Sequence, residues 1–202
     1  MDSLHRLEEI FSRFPGIGPR QAKRFVYYLL NKSPASIKEF TDLVADVRRS
    51  TSECEKCHRF FFHRAQKTDL CPTCADQSRD RSTLMVVARD SDFETVERSG
   101  AYKGLYFILG GTVPILDKEP EKRIRLQQLL ERASESTLTE IILSLNTTPD
   151  GEHTEKIVHE GLAKVSPARI TVLGRGLSTG AELEYADSET IKSALQNRRS
   201  SL

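Results

Sequence analysis

The four cysteines of the chain form the residue pattern that most strongly indicates a chemical role, the binding of a metal ion. Two residues separate Cys54 from Cys57 and Cys71 from Cys74, and thirteen residues lie between the pairs. Each pair can present two thiolates from one tight turn, and two such turns supply the four ligands that tetrahedral Zn²⁺ prefers. Because four thiolates leave no position for water, the spacing predicts a structural zinc ion that orders a loop of about thirty residues.

Other interpretations of the cysteines remain open from the sequence alone. The thiols can form disulfides or a redox-active dithiol, although a reducing cytosol favours free thiols and metal binding. His58 and His63 are additional candidate ligands, which we interpret as surface side chains.

A second motif places glycines and basic residues between two predicted helices. Segment 14–24 has the sequence FPGIGPRQAKR. Its glycines permit a tight turn that brings backbone N–H groups, and the N-terminus of the next helix, close to a phosphate. Arg20 and Arg24 lie four residues apart, hence on one helix face beside Lys23, and can contact a sugar-phosphate backbone. The motif predicts DNA binding without base specificity; a helical hairpin with a solvated basic face is the alternative.

Acidic side chains follow two of the predicted strands. Asp90 and Asp92 come after the first strand, and Asp150 and Glu152 come after the third. Parallel-sheet phosphotransfer domains can hold Mg²⁺ with a Glu at one strand end and paired Asp residues after another. Here Ala88 stands at the expected Glu position. We therefore expect a solvated acidic rim, with a weak cation site as the alternative, and no catalytic residue.

A glycine-containing segment, 173–187, follows the last predicted strand. Gly174 and Gly176 flank Arg175, but the segment lacks the six-residue frame and the Lys-Ser/Thr pair of a nucleotide-binding loop. We expect a tight loop at the edge of the sheet.

Apolar periodicity supplies the elements that position these motifs. It predicts three helices in the first quarter: one that ends at Pro15, one that begins at Pro19 and one capped by Ser36. Apolar runs predict buried strands at 84–88, 105–109, 140–145 and 169–173. Helical stretches are expected near 91–99, 122–134, 153–165 and 188–197. Alternating strands and helices predict a mostly parallel sheet with helices on its faces.

Composition and charge exclude several broad classes of protein. With 38% hydrophobic residues among 202, the chain is too apolar for a disordered tail. Uninterrupted apolar runs such as 105–109 are too short to span a bilayer, and the first residues lack a secretory signal, so we expect a cytoplasmic protein. The net charge is only +1, yet segment 10–38 holds six basic residues and no acidic one, which leaves a local positive patch.

Taken in chain order, these motifs resemble the RecR family of bacterial recombination mediator proteins over nearly the full length. The segments that carry the resemblance are the cysteine quartet and 14–19, 79–82, 96–100, 104–106, 109–111, 175–177 and 183–187. The resemblance implies an α/β fold in four parts. These parts are a helix-hairpin-helix module at 1–52, a four-cysteine zinc finger at 53–80, a Toprim domain with a parallel sheet and flanking helices at 81–173, and a C-terminal Gly-rich, Walker-B-like oligomerisation segment with a helix at 174–202.

The family resemblance also implies a function and partners. RecR family members are not known as catalysts; they form dimers or ring-like tetramers that embrace DNA and, with RecO or RecF, help RecA replace single-strand binding protein on gapped DNA. By this analogy Arg20, Lys23 and Arg24 face DNA, Glu152 contacts RecO, and one structural zinc per chain is the expected cofactor. A Toprim-type magnesium-dependent nuclease or primase and a pure protein scaffold are the competing functions.

The chain departs from the family pattern at three places. Ala88 stands where family members usually have Glu, which removes a carboxylate from any cation or partner contact there. Asp150 replaces a Glu, and residues 118–120 replace a Gly-rich turn. We expect these changes to alter the details of partner binding.

Overall fold

The computed structural model describes residues 2–62, 69–117, 119, 122–134 and 137–198. Of the positions singled out above, His63, Lys118 and Pro120 lie outside the described residues. The described chain divides into two compact units. The first comprises residues 2–51 with Phe62, and the second comprises residues 52–61 and those from 69 onwards.

Three helices make up the first unit. They are α1 (Ser3–Ser12), α2 (Pro19–Leu30) and α3 (Pro34–Ser50). The predicted start of α2 at Pro19 is confirmed, whereas two other predicted helix ends were wrong. Helix α1 ends at Ser12 because the next residues form the turn, in which Ile17 N–H donates to the Phe14 carbonyl at 3.0 Å.

The third helix begins three residues earlier than a Ser36 cap predicts. Ser33, not Ser36, is its N-cap, and the Ser33 hydroxyl accepts a hydrogen bond from the Ser36 backbone N–H at 3.2 Å. Pro34 then occupies the first helical position, where a missing N–H costs nothing. Ser33 and Ser36 are only three positions apart and both are suitable helix caps, so the sequence alone does not distinguish them.

The buried side chains of the first unit lie on α2, which packs against α1. Ala22 and Val26 of α2 are buried, while none of the residues of α3 is buried within the described chain. The predicted apolar side of α3 is exposed to solvent along Phe40, Leu43, Val44 and Val47.

The second unit contains the cysteine-bearing segment and a four-stranded sheet. The cysteine-bearing segment consists of the short paired strands β1 (Thr51–Glu53) and β2 (Phe60–Phe62) and the short helix α4 (Pro72–Ala75), with the terminal residues Thr51 and Phe62 counted in the first unit. The sheet consists of β3 (Asp80–Val87), β4 (Gly104–Ile108), β5 (Glu140–Ser144) and β6 (Arg169–Val172) in the order β4-β3-β5-β6. All three pairings are parallel, which confirms the predicted sheet.

Helices connect the strands and follow the last one. They are α5 (Asp90–Ser99), α6 (Leu126–Ala133), α7 (Pro149–Val165), a short 3₁₀ helix (Leu183–Tyr185) and α8 (Ser188–Gln196). Helix α7 begins four residues before the predicted 153, because the Thr148 side chain caps it by accepting the Gly151 N–H at 3.2 Å. Helix α6 begins at Leu126, four residues after the predicted 122.

Both faces of the sheet carry buried apolar side chains. On one face Leu84, Phe107 and Leu143 pack with α6 and α7 side chains such as Leu129 and Leu162. On the other face Met85, Tyr106 and Ile108 pack with Phe93 of α5. Because all four strands are parallel, their carboxyl ends, and the acidic residues that follow them, lie at the same end of the sheet. No helix in the described parts of the chain is long and apolar enough to cross a membrane.

Candidate functional site

The fold brings the four cysteines together in one buried cluster. Their sulfur atoms all lie within 4.8 Å of one another, and the Cys57 and Cys71 sulfurs are 3.6 Å apart. All four residues are buried. Four sulfurs at the Zn–S distance of 2.3 Å would lie about 3.8 Å apart at the corners of a tetrahedron. The donor set and its spacing therefore fit a tetrahedral metal ion with a closed ligand shell.

Local hydrogen bonds shape the two cysteine turns. In the first turn the His58 N–H donates to the Cys54 carbonyl at 2.9 Å, and the Cys54 N–H donates to the Arg59 carbonyl at 2.9 Å. His58 adopts a positive φ of 59°, which turns the backbone back on itself. In the second turn Cys71 is the N-cap of α4 and its carbonyl accepts the Ala75 N–H at 3.0 Å.

The electrostatics of the cluster favour the thiolate form of Cys54. Hydrogen bonds from the thiol of Cys57, and then from those of Cys71 and Cys74, hold the pKa of the Cys54 thiol well below its usual range. The Cys71 backbone N–H also points at the Cys54 sulfur, 3.3 Å away. A metal ion would find negative charge already favoured at this position.

The histidine next to the cluster has a structural partner instead of a place among the sulfurs. The Nδ1 of His58 lies 2.9 Å from the Glu53 carboxylate, and its ring packs edge-on against Phe107 at 5.2 Å between centroids. Arg125 approaches the same Glu53 carboxylate at 3.3 Å. His58 thus links the cysteine-bearing segment to the sheet.

Three further contacts dock the cysteine-bearing segment on the sheet and α5. The Ile108 N–H of β4 donates to the Cys57 carbonyl at 2.8 Å. The Phe60 N–H donates to the Asp90 carboxylate at 3.0 Å, and the Arg59 guanidinium lies 4.0 Å from the centre of the Phe93 ring. The docking role of Asp90 was missed by the sequence analysis, since the two bonded residues are thirty positions apart and no local pattern joins them.

The acidic residues that follow the strands do not form one site. Asp92 accepts the Arg89 N–H at 2.9 Å and so caps α5, while Asp150 accepts the Ile115 N–H at 3.2 Å. Asp90 holds the cysteine-bearing segment, as described. Among the residues that the structure describes, the four cysteines are the one group of three or more His, Cys, Asp or Glu residues placed to hold a metal ion. The acidic residues act as separate hydrogen-bond acceptors.

The turn before α2 has the geometry that its glycines allow. Gly16 has φ +76°, a conformation that strains other residues, and the Gly18 carbonyl accepts the N–H groups of Gln21 and Ala22 at 3.0 Å each. Gly18 is the N-cap and has no side chain to cover the helix N-terminus. Pro19 has no N–H and Gln21 and Ala22 use theirs, so the Arg20 N–H is the group of the first turn that an anion can reach.

The basic residues of α2 lie on its exposed side. Arg20, Lys23 and Arg24 are all exposed, on the side away from the buried Ala22 and Val26. None of the three forms an ion pair with an acidic residue in the described chain; Arg24 donates to the Gln21 side chain at 3.3 Å. Their positive charge is available to an external anion.

Comparisons with known proteins identify the family. Residues 82–174 match the Toprim domain model, and residues 176–199 match the model of the RecR C-terminal region. A Chloroflexus aggregans protein named Recombination protein RecR is 37% identical over 194 residues, 96% of this chain and 92% of the relative. The chain belongs to the RecR family. Relatives of the same name from Cereibacter sphaeroides and Bifidobacterium adolescentis are 36% and 34% identical over 97% and 98% of this chain, and over 96% of each relative.

RecR family membership confirms the resemblance seen in the sequence motifs. It also confirms the predicted fold class: a Toprim-like parallel sheet joined to a helical N-terminal region, a four-cysteine cluster and a C-terminal segment with a helix. The relatives carry the name of a recombination protein.

An arginine attaches the RecR-type C-terminal segment to α7. Arg175 pairs with the carboxylates of Glu152 at 2.7 Å and Glu155 at 3.6 Å, and its carbonyl accepts the Asn197 side-chain N–H at 2.8 Å. Arg175 and the two glutamates line a cavity of about 550 Å³ at the carboxyl end of β5 and β6. The predicted tight loop thus has a second role that the sequence pattern did not indicate.

Proposed function

We propose that this RecR family protein is a non-enzymatic, DNA-binding mediator of recombinational DNA repair. The observation that carries the proposal is the exposed, unpaired basic side of α2 beside the Gly-rich turn. Arg20, Lys23 and Arg24 would bind successive phosphates of a DNA strand. The N-terminus of α2 would donate a backbone N–H to one further phosphate. Because none of these groups reads a base edge, binding should be independent of sequence. We place the protein in the cytoplasm, because a bacterial protein meets DNA there.

The arrangement of the acidic residues supports a non-enzymatic role. A Toprim-type nuclease or primase would need carboxylates grouped around Mg²⁺. Here Ala88 supplies no carboxylate, and Asp90 and Asp92 are engaged in structural hydrogen bonds. Mg²⁺-dependent nicking of plasmid DNA by the purified protein is the result that would favour the enzyme instead.

The four cysteines would hold one structural Zn²⁺ ion per chain. The buried all-sulfur donor set favours zinc, and its closed shell gives the ion a folding role without a water-binding position. We keep the four-part division of the chain as part of this proposal, with the zinc finger at 53–80 between the helix-hairpin-helix module at 1–52 and the Toprim domain at 81–173, followed by the C-terminal oligomerisation segment at 174–202.

Self-association would complete the DNA-binding form. The apolar side of α3 is exposed, with Phe40 and Val44 each about half exposed. Exposure of such an apolar surface to water is unfavourable, and burying it in a contact with another subunit would be favourable. Several residues of the C-terminal segment, including Leu183 and Tyr185, are also exposed. Two such surfaces per chain would allow dimers or ring-like tetramers that encircle DNA as a clamp.

Partner proteins would bind at the acidic side of the Toprim domain. We propose that RecO, with RecF as a further partner, uses this contact to promote RecA loading on gapped single-stranded DNA. Glu152 is about half exposed and lies in the first turn of α7, but its carboxylate already pairs with Arg175. A basic group of RecO would therefore have to displace Arg175, an exchange made easy by the low net energy of an exposed ion pair.

Replacing Glu152 tests this partner site. Glu152→Gln should weaken RecO binding roughly 10- to 100-fold, because a hydrogen bond to a charged group is lost, whereas Arg175→Ala should strengthen it by removing the competing cation. Isothermal titration calorimetry with purified RecO measures both. Glu160→Gln, an exposed change on the same helix, is the control. Equal affinities for wild type and Glu152→Gln would exclude Glu152 from the interface.

A salt titration tests the main proposal. Fluorescently labelled duplex DNA with a single-stranded tail is titrated with the protein at several salt concentrations, alone and with RecO, and anisotropy is followed. We expect binding that weakens steeply with salt, because phosphate contacts release counterions. Absence of binding at low salt, both with and without RecO, would favour the scaffold function over the clamp.

A further inference from the structure

An exposed tyrosine lies within the basic surface of α2. Tyr27 is 48% exposed, and it lies seven residues after Arg20 and four after Lys23 in the same helix. At 3.6 residues per turn, Tyr27 is rotated only about 20° from Arg20 and about 40° from Lys23 around the helix axis. Its ring therefore belongs to the exposed basic side of the helix, opposite the buried Ala22.

The environment of Tyr27 differs from that of the structural tyrosines of this chain. Tyr102 and Tyr106 pack edge to face with ring centroids 5.0 Å apart, and their hydroxyls donate to the Leu105 carbonyl and the Glu97 carboxylate at 2.9 Å each. The Lys23 ammonium lies 6.0 Å from the centre of the Tyr27 ring. An aromatic ring held at the surface beside cations has a free face for a ligand.

The charges around Tyr27 indicate the kind of ligand. Segment 10–38 contains six basic residues and no acidic one, so the surface attracts a polyanion. Single-stranded DNA offers phosphates together with unpaired bases, and proteins that bind it combine basic grooves with aromatic side chains on which bases stack. Duplex DNA offers the phosphates alone, because its base faces are stacked inside the helix.

We propose that Tyr27 is a stacking platform for an unpaired base of single-stranded DNA. Arg20, Lys23 and Arg24 hold the phosphates, and the base of a neighbouring nucleotide lies on the Tyr27 ring, which follows Arg24 by about 4.5 Å along the helix axis. The inference rests on the proposed function of α2 and adds to it a preference for single strands over duplex.

Substitution of Tyr27 separates stacking from phosphate binding. Labelled single-stranded and blunt duplex oligonucleotides of the same length are titrated with wild type, Tyr27→Ala and Tyr27→Phe, and anisotropy is followed at several salt concentrations. Tyr27→Ala should weaken binding of the single strand roughly 5- to 150-fold, the range for loss of one stacked base. Duplex affinity and the salt slope should stay unchanged, since stacking releases no counterions, and Tyr27→Phe should bind as wild type does.

A neighbouring tyrosine supplies the matched control. Tyr28 is also exposed on α2, but it is rotated about 80° from Arg20, and Lys32 covers its ring at 4.3 Å. Tyr28→Ala should change single-strand affinity less than threefold. Circular dichroism and light scattering establish that each variant keeps the helical content and mass of wild type.

Three results would overturn the stacking role. They are an equal loss of single-strand and duplex affinity in Tyr27→Ala, a lowered salt slope, and an altered oligomeric mass, which would assign the ring to a self-association surface. If Arg20→Ala with Arg24→Ala weakens binding while Tyr27→Ala does not, the stacking proposal fails and the proposed function stands. Absence of DNA binding by wild type would remove both.

Discussion

Removing the metal should unfold the cysteine-bearing segment while the sheet stays folded. Structural zinc contributes on the order of 10 kcal/mol to the folding of zinc-finger peptides. Without a metal ion, the cysteine-bearing segment has only a small hydrophobic core, made of the four cysteines and Phe61. The sheet has its own, much larger cores. Dialysis against a chelator should therefore raise amide hydrogen exchange in residues 52–61 and 69–79 and at Ile108, whose N–H loses its acceptor on Cys57.

Metal analysis and rescue complete this experiment. We expect one zinc per chain in wild type and none in Cys54→Ser with Cys71→Ser, whose exchange pattern should match that of the chelated protein. Added Zn²⁺ should restore protection to chelated wild type but not to the double variant, and Mg²⁺ should restore neither. Unchanged exchange after complete metal removal would show that packing alone orders the segment.

Replacing two arginines of α2 should nearly abolish DNA binding. Arg20→Ala with Arg24→Ala removes two charge-assisted phosphate contacts, which corresponds to a loss on the order of 100-fold in affinity. The slope of log affinity against log salt should become less steep by about 1.4 for a single strand, since each phosphate contact contributes about 0.7. The loss should be similar for all base sequences because these residues hold the backbone.

A control variant that loses the same number of positive charges distinguishes direct contact of α2 with phosphates from general attraction of DNA to a positively charged protein. Lys38 and Arg49 are exposed residues of α3 in the same unit, and each pairs with an acidic neighbour, Asp42 and Asp46 respectively. Lys38→Ala with Arg49→Ala also removes two positive charges, yet it should change affinity only slightly. Equal losses in the two double variants would indicate that net charge, not the α2 surface, governs binding.

The features that sequence predicted well are those fixed by local pattern. The two Cys-x-x-Cys turns bring their own ligands together, so their spacing was enough to predict the cluster. Runs such as 84–88 and 105–109 are apolar throughout because parallel strands are buried on both faces. Continuous apolar runs and a helical period of 3.6 residues therefore predicted the fold class, while helix ends depended on single capping side chains such as Ser33 and Thr148.

The features that sequence could not predict join residues far apart in the chain. Asp90 was expected at an acidic rim, yet it accepts the backbone N–H of Phe60. The pairing of Arg175 with Glu152 spans twenty-three positions. Both carboxylates follow strand ends as predicted, but their partners depend on how the cysteine-bearing and C-terminal segments dock, which no local periodicity encodes. The Tyr27 ring was likewise overlooked, because only the burial pattern assigns it to the exposed side of α2.

The bond between Ile108 and Cys57 has a consequence for the behaviour of the protein when zinc is scarce. β4 is an edge strand, and its side away from β3 is covered in part by the cysteine-bearing segment through this bond. An edge strand that is uncovered and carries apolar side chains is a template for pairing with a strand of another chain. Metal-free protein should therefore aggregate faster than metal-bound protein at the same temperature. If the cysteines hold zinc as proposed, the segment would protect the solubility of the Toprim sheet, and zinc supply would set how much soluble protein a cell can maintain.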